Sequence, residues 1–345
     1  MKRIYQALAY QMPCQTINNA TDTKSHMTGQ IHQLRTRLTA AKAFIGRDLK
    51  LVCLPEYFLT GYPLHESVEE WRAKACLDMD GPEYEQLGRV AQDLNIYLCG
   101  NAYERDPHFP TLYFQCSFIL APNGDVILRY RRLHSLYSPT PYDVLDPYLE
   151  IYGYDALFPV AQTEIGVLSA LASEEILFPE ISRLFTFQGA QIVLHPTSQA
   201  ARRDLCPKAI CAQARAIENM QYVISANTGG IFGSAMAPQA ADCGSKIIDF
   251  KGAILCEAES GDSIAAYATI NLSAQNHARH NASMDNIYAR AKPGLYADAY
   301  AKAVTATANQ FIRDGKIKTP SRGDFLKSLQ DHIDRIGELN ALNIS

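Results

Sequence analysis

Three polar side chains stand where apolar runs give out. Glu56 follows Leu49–Leu54, Arg132 follows Val126–Tyr130, and Ser173 follows Ile165–Ala172. Short apolar runs bounded in this way read as buried strands, so each residue sits where a strand gives way to a turn. Residue type limits the chemistry open to them. A carboxylate accepts protons. A serine hydroxyl caps a turn, or attacks an electrophilic carbon once a base takes its proton. An arginine stays charged at working pH and grips an oxyanion or carboxylate through parallel N–H groups. Each also has an ordinary reading: a loop carboxylate, a turn cap, and a solvated cation beside Arg129 and Arg131.

Composition narrows the class. The 345 residues are 47% hydrophobic and 20% charged, an ordinary balance for a globular chain. A net charge of −4, from 32 basic and 36 acidic residues, gives no electrostatic case for nucleic acid or an anionic membrane. The start, Met1-Lys2-Arg3-Ile4, lacks the apolar core of a signal peptide, and no uncharged apolar run reaches the roughly 18 residues of a membrane span. The nine cysteines, an odd number, form no Cys-x-x-Cys pair, and Cys206 and Cys211 lack partners at zinc spacing. Reduced, mostly buried thiols in the cytosol are expected. Neither a phosphate-binding glycine loop nor a metal-ligand cluster is visible, so no cofactor and no metal are expected.

The elements that must position the three residues follow from periodicity. Strands are expected at Arg3–Ala9, Leu49–Leu54, Ile96–Gly100, Phe114–Ala121, Val126–Tyr130, Ile165–Ala172, Gln191–Leu194, Tyr222–Ala226 and Ile264–Ile270. Helical spacing of Met27, Ile31, Leu34, Leu38 and Ile45 predicts a helix stopped by Gly46. Pro82, Pro179 and Pro207 open three more. Asn123-Gly124 and Asp249–Gly252 are hairpin turns, so the sheets are not purely parallel. Residues 133–160, rich in Pro, Tyr and Asp, read as an elaborate loop. Alternating helices and strands with two hairpins suit two sheets packed face to face under helices.

Taken together and in order, the segments Leu54-Pro55-Glu56-Tyr57-Phe58-Leu59-Thr60-Gly61-Tyr62, Leu128-Arg129-Tyr130-Arg131-Arg132-Leu133-His134 and Ser173-Glu174-Glu175-Ile176-Leu177-Phe178-Pro179 resemble the nitrilase, or carbon–nitrogen hydrolase, superfamily. Arg215–Asn219 and Gly244–Asp249 look like further family segments. The resemblance covers roughly residues 3–275. It implies an α/β fold, a four-layer α-β-β-α sandwich with two mixed sheets, a cofactor-free site and a homodimer or higher homo-oligomer. It also implies a carboxylate base at Glu56, a catalytic lysine at the position of Arg132 and a nucleophilic cysteine at that of Ser173.

This chain departs from that pattern twice. A serine hydroxyl is several pKa units weaker as an acid than a cysteine thiol, and each unit corresponds to about 1.4 kcal/mol. Glu56 without a histidine is a poor base for it. Arg132 cannot shuttle a proton, but it can support an oxyanion, with the backbone N–H of Glu174 as a second donor. The family's helper glutamate has a candidate in Glu150, and Tyr57, Tyr137 and Tyr142 are candidates for the pocket mouth. His134 and His195 are expected to be structural, with a serine–histidine triad as the arrangement that would rescue Ser173. Arg183, Glu180, Arg215, Glu218 and Asn219 are expected to pin helices.

Two functions remain from these residues. One is a carbon–nitrogen hydrolase acting on a small amide, nitrile or carbamoyl compound through an altered site (Glu56, Arg132, Ser173, with Glu174, Tyr57 and Glu150 toward substrate). The other is an inactive relative that binds a small amide or acid, or serves assembly, with Glu56 and Arg132 paired to each other. Residues 1–275 form the expected domain. Residues 276–345 form a helical tail on that domain or on a partner subunit.

Overall fold

Alternation along three neighbouring strands sets up the layers. In a computed structural model describing residues 4–199, 206–235, 237–303 and 305–342, the strands Ile4–Ala9, Leu49–Cys53 and Tyr97–Arg105 lie parallel. Leu8, Val52 and Leu98 pack with Met27, Ile31, Leu34 and Leu38 of the helix Thr23–Ile45 and with Leu87 and Val90 of the helix Pro82–Leu94. Their neighbours Ala7, Ala9, Leu51, Cys53 and Cys99 join a second interior with Leu168, Ala170, Val193 and Leu194. Period-two alternation thus gives each strand a helix face and a sheet face. The small Ala and Cys side chains on the sheet face let the two sheets approach. Full burial of each Leu, Ile or Val contributes roughly 1.5–3 kcal/mol.

The first sheet runs Tyr267–Asn271, Ile4–Ala9, Leu49–Cys53, Tyr97–Arg105, Tyr113–Leu120, Val126–Arg131, with the short strand Leu77–Asp78 beside Tyr97–Arg105. The second runs Ile254–Glu257, Lys246–Ile248, Tyr222–Ala226, Ile192–Pro196, Gly166–Ala170, Ala161–Thr163. Both are parallel at the centre and antiparallel at the edges. The helices Pro179–Phe187 and Pro207–Asn219 supply Ile181, Phe185, Ala212 and Ala216 to the outer face of the second sheet. The result is the expected α-β-β-α sandwich. Both hairpin turns are present, with Gly124 and Gly252 at φ of 92° and 88°, a region glycine enters without steric cost.

Several boundaries differ from expectation. Arg3 lies outside the described residues. The strand expected at Ile96–Gly100 continues to Arg105, because Asn101–Arg105 find partners in Tyr113–Ser117. Residues 133–160 contain a helix, Leu145–Tyr152, which sets Tyr148 against Phe109 and Phe114. It is too short to show a period. The expected boundary at residue 275 falls inside the helix Leu272–His280. There Gln275 is buried and donates to the carbonyls of Gln191 and Met220, while Arg279 donates to those of Ala190, Asn219 and Met220. Further along, Phe311 and Phe325 pack with Trp71, Tyr103 and Tyr113, and the amides of Asn309 and Phe311 donate to Tyr142 and Asp143. Among the described residues no helix is long and apolar enough to cross a membrane.

Candidate active site

The carboxyl ends of parallel strands from both sheets converge, the edge at which open α/β sheets bind ligands. Glu56 follows Leu49–Cys53, Ser173 follows Gly166–Ala170, and Ser198 follows Ile192–Pro196. The amide of Glu56 donates to the carbonyl of Thr197 (3.3 Å), which ties the two sheets together at this end.

Glu56 and Arg132 meet through Gln115. The ladder between the last two hairpin strands sets the Arg132 amide on the carbonyl of Gln115 (2.9 Å), so the two side chains emerge together. Gln115 Nε2 donates to Glu56 Oε1 (2.9 Å) and to Asn101 Oδ1 (2.9 Å), while its Oε1 accepts from Arg132 Nη1 (2.6 Å). Arg132 Nη1 also pairs with Glu56 Oε1 (3.3 Å), Nη2 with Glu174, and Nε donates to the carbonyl of His134 (2.7 Å). Burial opposes the charge on Arg132, but Glu174 and Glu56 outweigh it and hold the guanidinium above its ordinary pKa. Glu56 is buried, and among the described residues its Oε2 makes no hydrogen bond. Tyr57 lies beside the pair. Its phenol is raised well above 10 by burial and then by the charge of Glu56.

Ser173 occupies the first position of a tight 3-10 turn, Ser173–Leu177, between strand and helix. Its φ of +47° is left-handed, a conformation that costs a residue with a side chain roughly 1–3 kcal/mol. Three groups hold the turn. Glu175, fully buried, accepts from Tyr130 Oη (2.8 Å) and from the amides of Leu133 (2.8 Å) and His134 (3.0 Å), fastening the turn to the loop that carries Arg132. Arg215 Nε and Nη2 donate to the carbonyls of Ile176 (2.9 Å) and Leu177 (3.1 Å). His195 Nε2 donates to the carbonyl of Ser173 (2.7 Å), and Nδ1 accepts from Ser225 Oγ (2.9 Å). That tautomer follows because a carbonyl oxygen can only accept. Burial first, helped by Lys208, pushes the His195 pKa down to about 3, so the ring is neutral.

His195 therefore touches Ser173 through the backbone and not through Oγ. The hydroxyl instead meets Lys208 Nζ at 2.8 Å, and Nζ also donates to the carbonyl of Ser198 (3.2 Å). Among the described residues Ser173 Oγ shares no hydrogen bond with Glu56 or Arg132. Two groups of the site, Gln115 and Lys208, were not singled out from sequence. Each carried a faint signal. Gln115 is a polar residue inside an apolar run. Lys208, directly after Pro207, puts a cation in the first turn of a helix, where the helix dipole disfavours it.

The remaining candidates are placed as follows. Glu150 is exposed on the helix Leu145–Tyr152 and shares no hydrogen bond or ion pair with Glu56, Arg132 or Ser173 among the described residues, so the carboxylate that reaches Arg132 from the rim is Glu174. His134 stacks on Phe178 at 4.0 Å between ring centroids. Arg129 and Arg131 pair with Glu104 and Asp106, away from Glu56. Among the described residues no cluster of His, Cys, Asp and Glu is arranged to hold a metal ion.

Comparison with known proteins agrees with this architecture. Residues 10–279 match the carbon–nitrogen hydrolase family, and the chain belongs to it. It is similar to a formamidase of Helicobacter acinonychis, 23% identical over 224 residues that cover 64% of this chain and 61% of that protein. It is also similar to the omega-amidase NIT2 of Xenopus tropicalis, 24% identical over 52% of this chain and 63% of that one. The chain thus spans about three fifths of the length of these relatives. Among solved structures, Nit3 of Saccharomyces cerevisiae, a member of the nitrilase superfamily, superposes with a TM-score of 0.65 at 20% identity, covering 82% of this chain and 95% of that one.

Proposed function

We propose that this protein hydrolyses the carbon–nitrogen bond of a small non-peptide amide, nitrile or carbamoyl compound, with Ser173 as nucleophile. The observation that carries the reading is the left-handed Ser173 at a strand-to-helix turn, held by three separate elements. Strain of this kind persists only where the surroundings over-determine it, and it clusters at functional sites. Two features support an amide substrate. The unpaired Oε2 of Glu56 is a buried acceptor whose unmet hydrogen bond costs about 1–3 kcal/mol, and an amide N–H would meet it. Arg132 and the Glu174 amide offer donors for a developing oxyanion. The relatives named as formamidase and omega-amidase support the same substrate class. A paired assembly fits the exposed Ile210 and Ile217 on the helix Pro207–Asn219 and the exposed Ile254 and Leu255. A reducing, cytosolic setting fits nine free cysteines.

Ammonia release from a panel of small amides, nitriles and carbamoyl compounds tests the reading. Release that disappears in Ser173→Ala and Glu56→Gln is expected. Equal background in all three proteins would leave a binding role, which the direct Glu56–Arg132 pair favours. In that second reading, Ser173→Cys with Arg132→Lys should create amidase activity in a pocket that is otherwise intact. A folded but inactive double variant would show divergence beyond those two positions.

A further inference from the structure

The described residues leave Ser173 Oγ without a base in Glu56, Arg132 or His195: Oγ shares no hydrogen bond with Glu56, whose Oε1 is engaged by Gln115 and Arg132, Arg132 cannot accept a proton, and His195 is turned to the backbone. Resting on the hydrolase reading above, we propose that Lys208 is the general base and acid of the site, forming a serine–lysine dyad with Ser173. Its amine lies 2.8 Å from the hydroxyl, within proton-transfer distance. A second contact orients it. The carbonyl of Ser198 can only accept, so one N–H of the amine is committed there at 3.2 Å. That anchor leaves the 2.8 Å line between Nζ and Oγ as the path along which a proton passes between them. The lysine lost from the strand end at position 132 is thereby replaced by one delivered from the start of the helix Pro207–Asn219.

The steps balance without any further reagent. Lys208 Nζ takes the hydroxyl proton as Oγ bonds to the amide carbon, and the carbonyl π electrons move to oxygen. As the oxyanion collapses, the C–N bond breaks and Lys208 returns the proton to the departing nitrogen, leaving an ester on Ser173. Water then attacks the ester carbon while Lys208 takes its proton, and the C–Oγ bond breaks with that proton returning to Ser173. The sum is amide plus water giving acid plus amine. Among the described residues, the titratable groups shown to interact with Lys208 are Ser173 and His195, and His195 is neutral; Lys246 and Glu257 pair with each other and line a separate groove that does not include Lys208.

The test uses the full chain and p-nitrophenyl acetate, with acylation followed by nitrophenolate release and by intact mass. Wild type should gain one acetyl group, and Ser173→Ala none. Lys208→Met should acylate roughly 100- to 10,000-fold more slowly, the range for loss of a positioned proton acceptor. Lys208→Arg keeps a cation and donors but cannot accept a proton, so it should be as slow as Lys208→Met. The rising limb of the wild-type pH–rate profile should be missing in both, with melting temperatures unchanged. Acylation lost in Ser173→Ala yet kept in Lys208→Met, or restored by Lys208→Arg, would overturn the dyad and leave the serine hydrolase standing. A wild type that acquires no label at Ser173 would overturn both.

Discussion

Arg131 and Arg132 are consecutive, leave the same strand end and are both buried, yet alternation sends them into different surroundings. Arg131 pairs with Asp106 at 2.6 Å and lies over the rings of Phe114, Tyr148 and Tyr152 at 4.7–5.6 Å. Asp106 is in turn filled by Tyr152 Oη (2.6 Å) and the amide of His108 (2.8 Å). Arg132 pairs with Glu56, whose Oε2 is left open, and with Glu174, whose side chain is 40% exposed. The first pair is sealed, and its carboxylate is filled. The other keeps an unmet acceptor on the inside and a carboxylate at the rim. The same residue type at adjacent positions therefore does two jobs, and what separates them is the unfilled hydrogen-bonding capacity of the partner.

The largest effect should come from breaking the sealed pair. Arg131→Leu leaves Asp106 charged and buried without its cation, which costs about 3–5 kcal/mol, and denaturant unfolding should show a loss of that size. A midpoint within the wild-type error would mean that the aromatic cage alone holds the loop. Arg132→Leu should cost less stability, because Gln115 still serves Glu56, but should lower the hydrolytic rate about 100- to 1,000-fold if Arg132 supports the oxyanion. A large stability loss with an intact rate would reverse the two roles.

A pH-dependent effect, small at neutral pH, separates the closed backbone side of Ser173 from its open face. His195 is neutral in the fold, with its pKa pushed down from 6.5 to about 3 by burial. Below pH 6.5 the unfolded chain binds more protons than the folded one, so this contribution is complete above that pH and is lost as pH falls toward 3. The slope is about 1.4 kcal/mol per pH unit. His195→Gln, which retains a donor for the Ser173 carbonyl, should flatten the acid limb of the stability profile. An unchanged slope would show that His195 already titrates in the fold. Smallest of all, Glu174→Gln keeps an acceptor for Arg132 Nη2 but removes the partly exposed charge paired with it, and should lower stability by about 1 kcal/mol. A loss of several times that size would place Glu174 among the structural carboxylates with Glu175.

Much of this was legible in the chain because it is local. Apolar alternation, the proline-opened helices, and the two glycine turns are backbone preferences, and they fixed the layers to within a few residues. The strand-end placement of Glu56, Arg132 and Ser173 followed from the same signals. A misplaced boundary fell where partners decide: Asn101–Arg105 became strand by pairing.

What the sequence by itself determined, then, is the sandwich and the family. Only the tertiary structure decided which side chain serves which. Periodicity carries no record of a contact such as that between Ser173 and Lys208, made by residues 35 apart on different elements. Nor does it show that one of two adjacent arginines meets a filled carboxylate and the other an open one. Those are properties of side chains brought together by strand order, and strand order exists only once the sheets have formed.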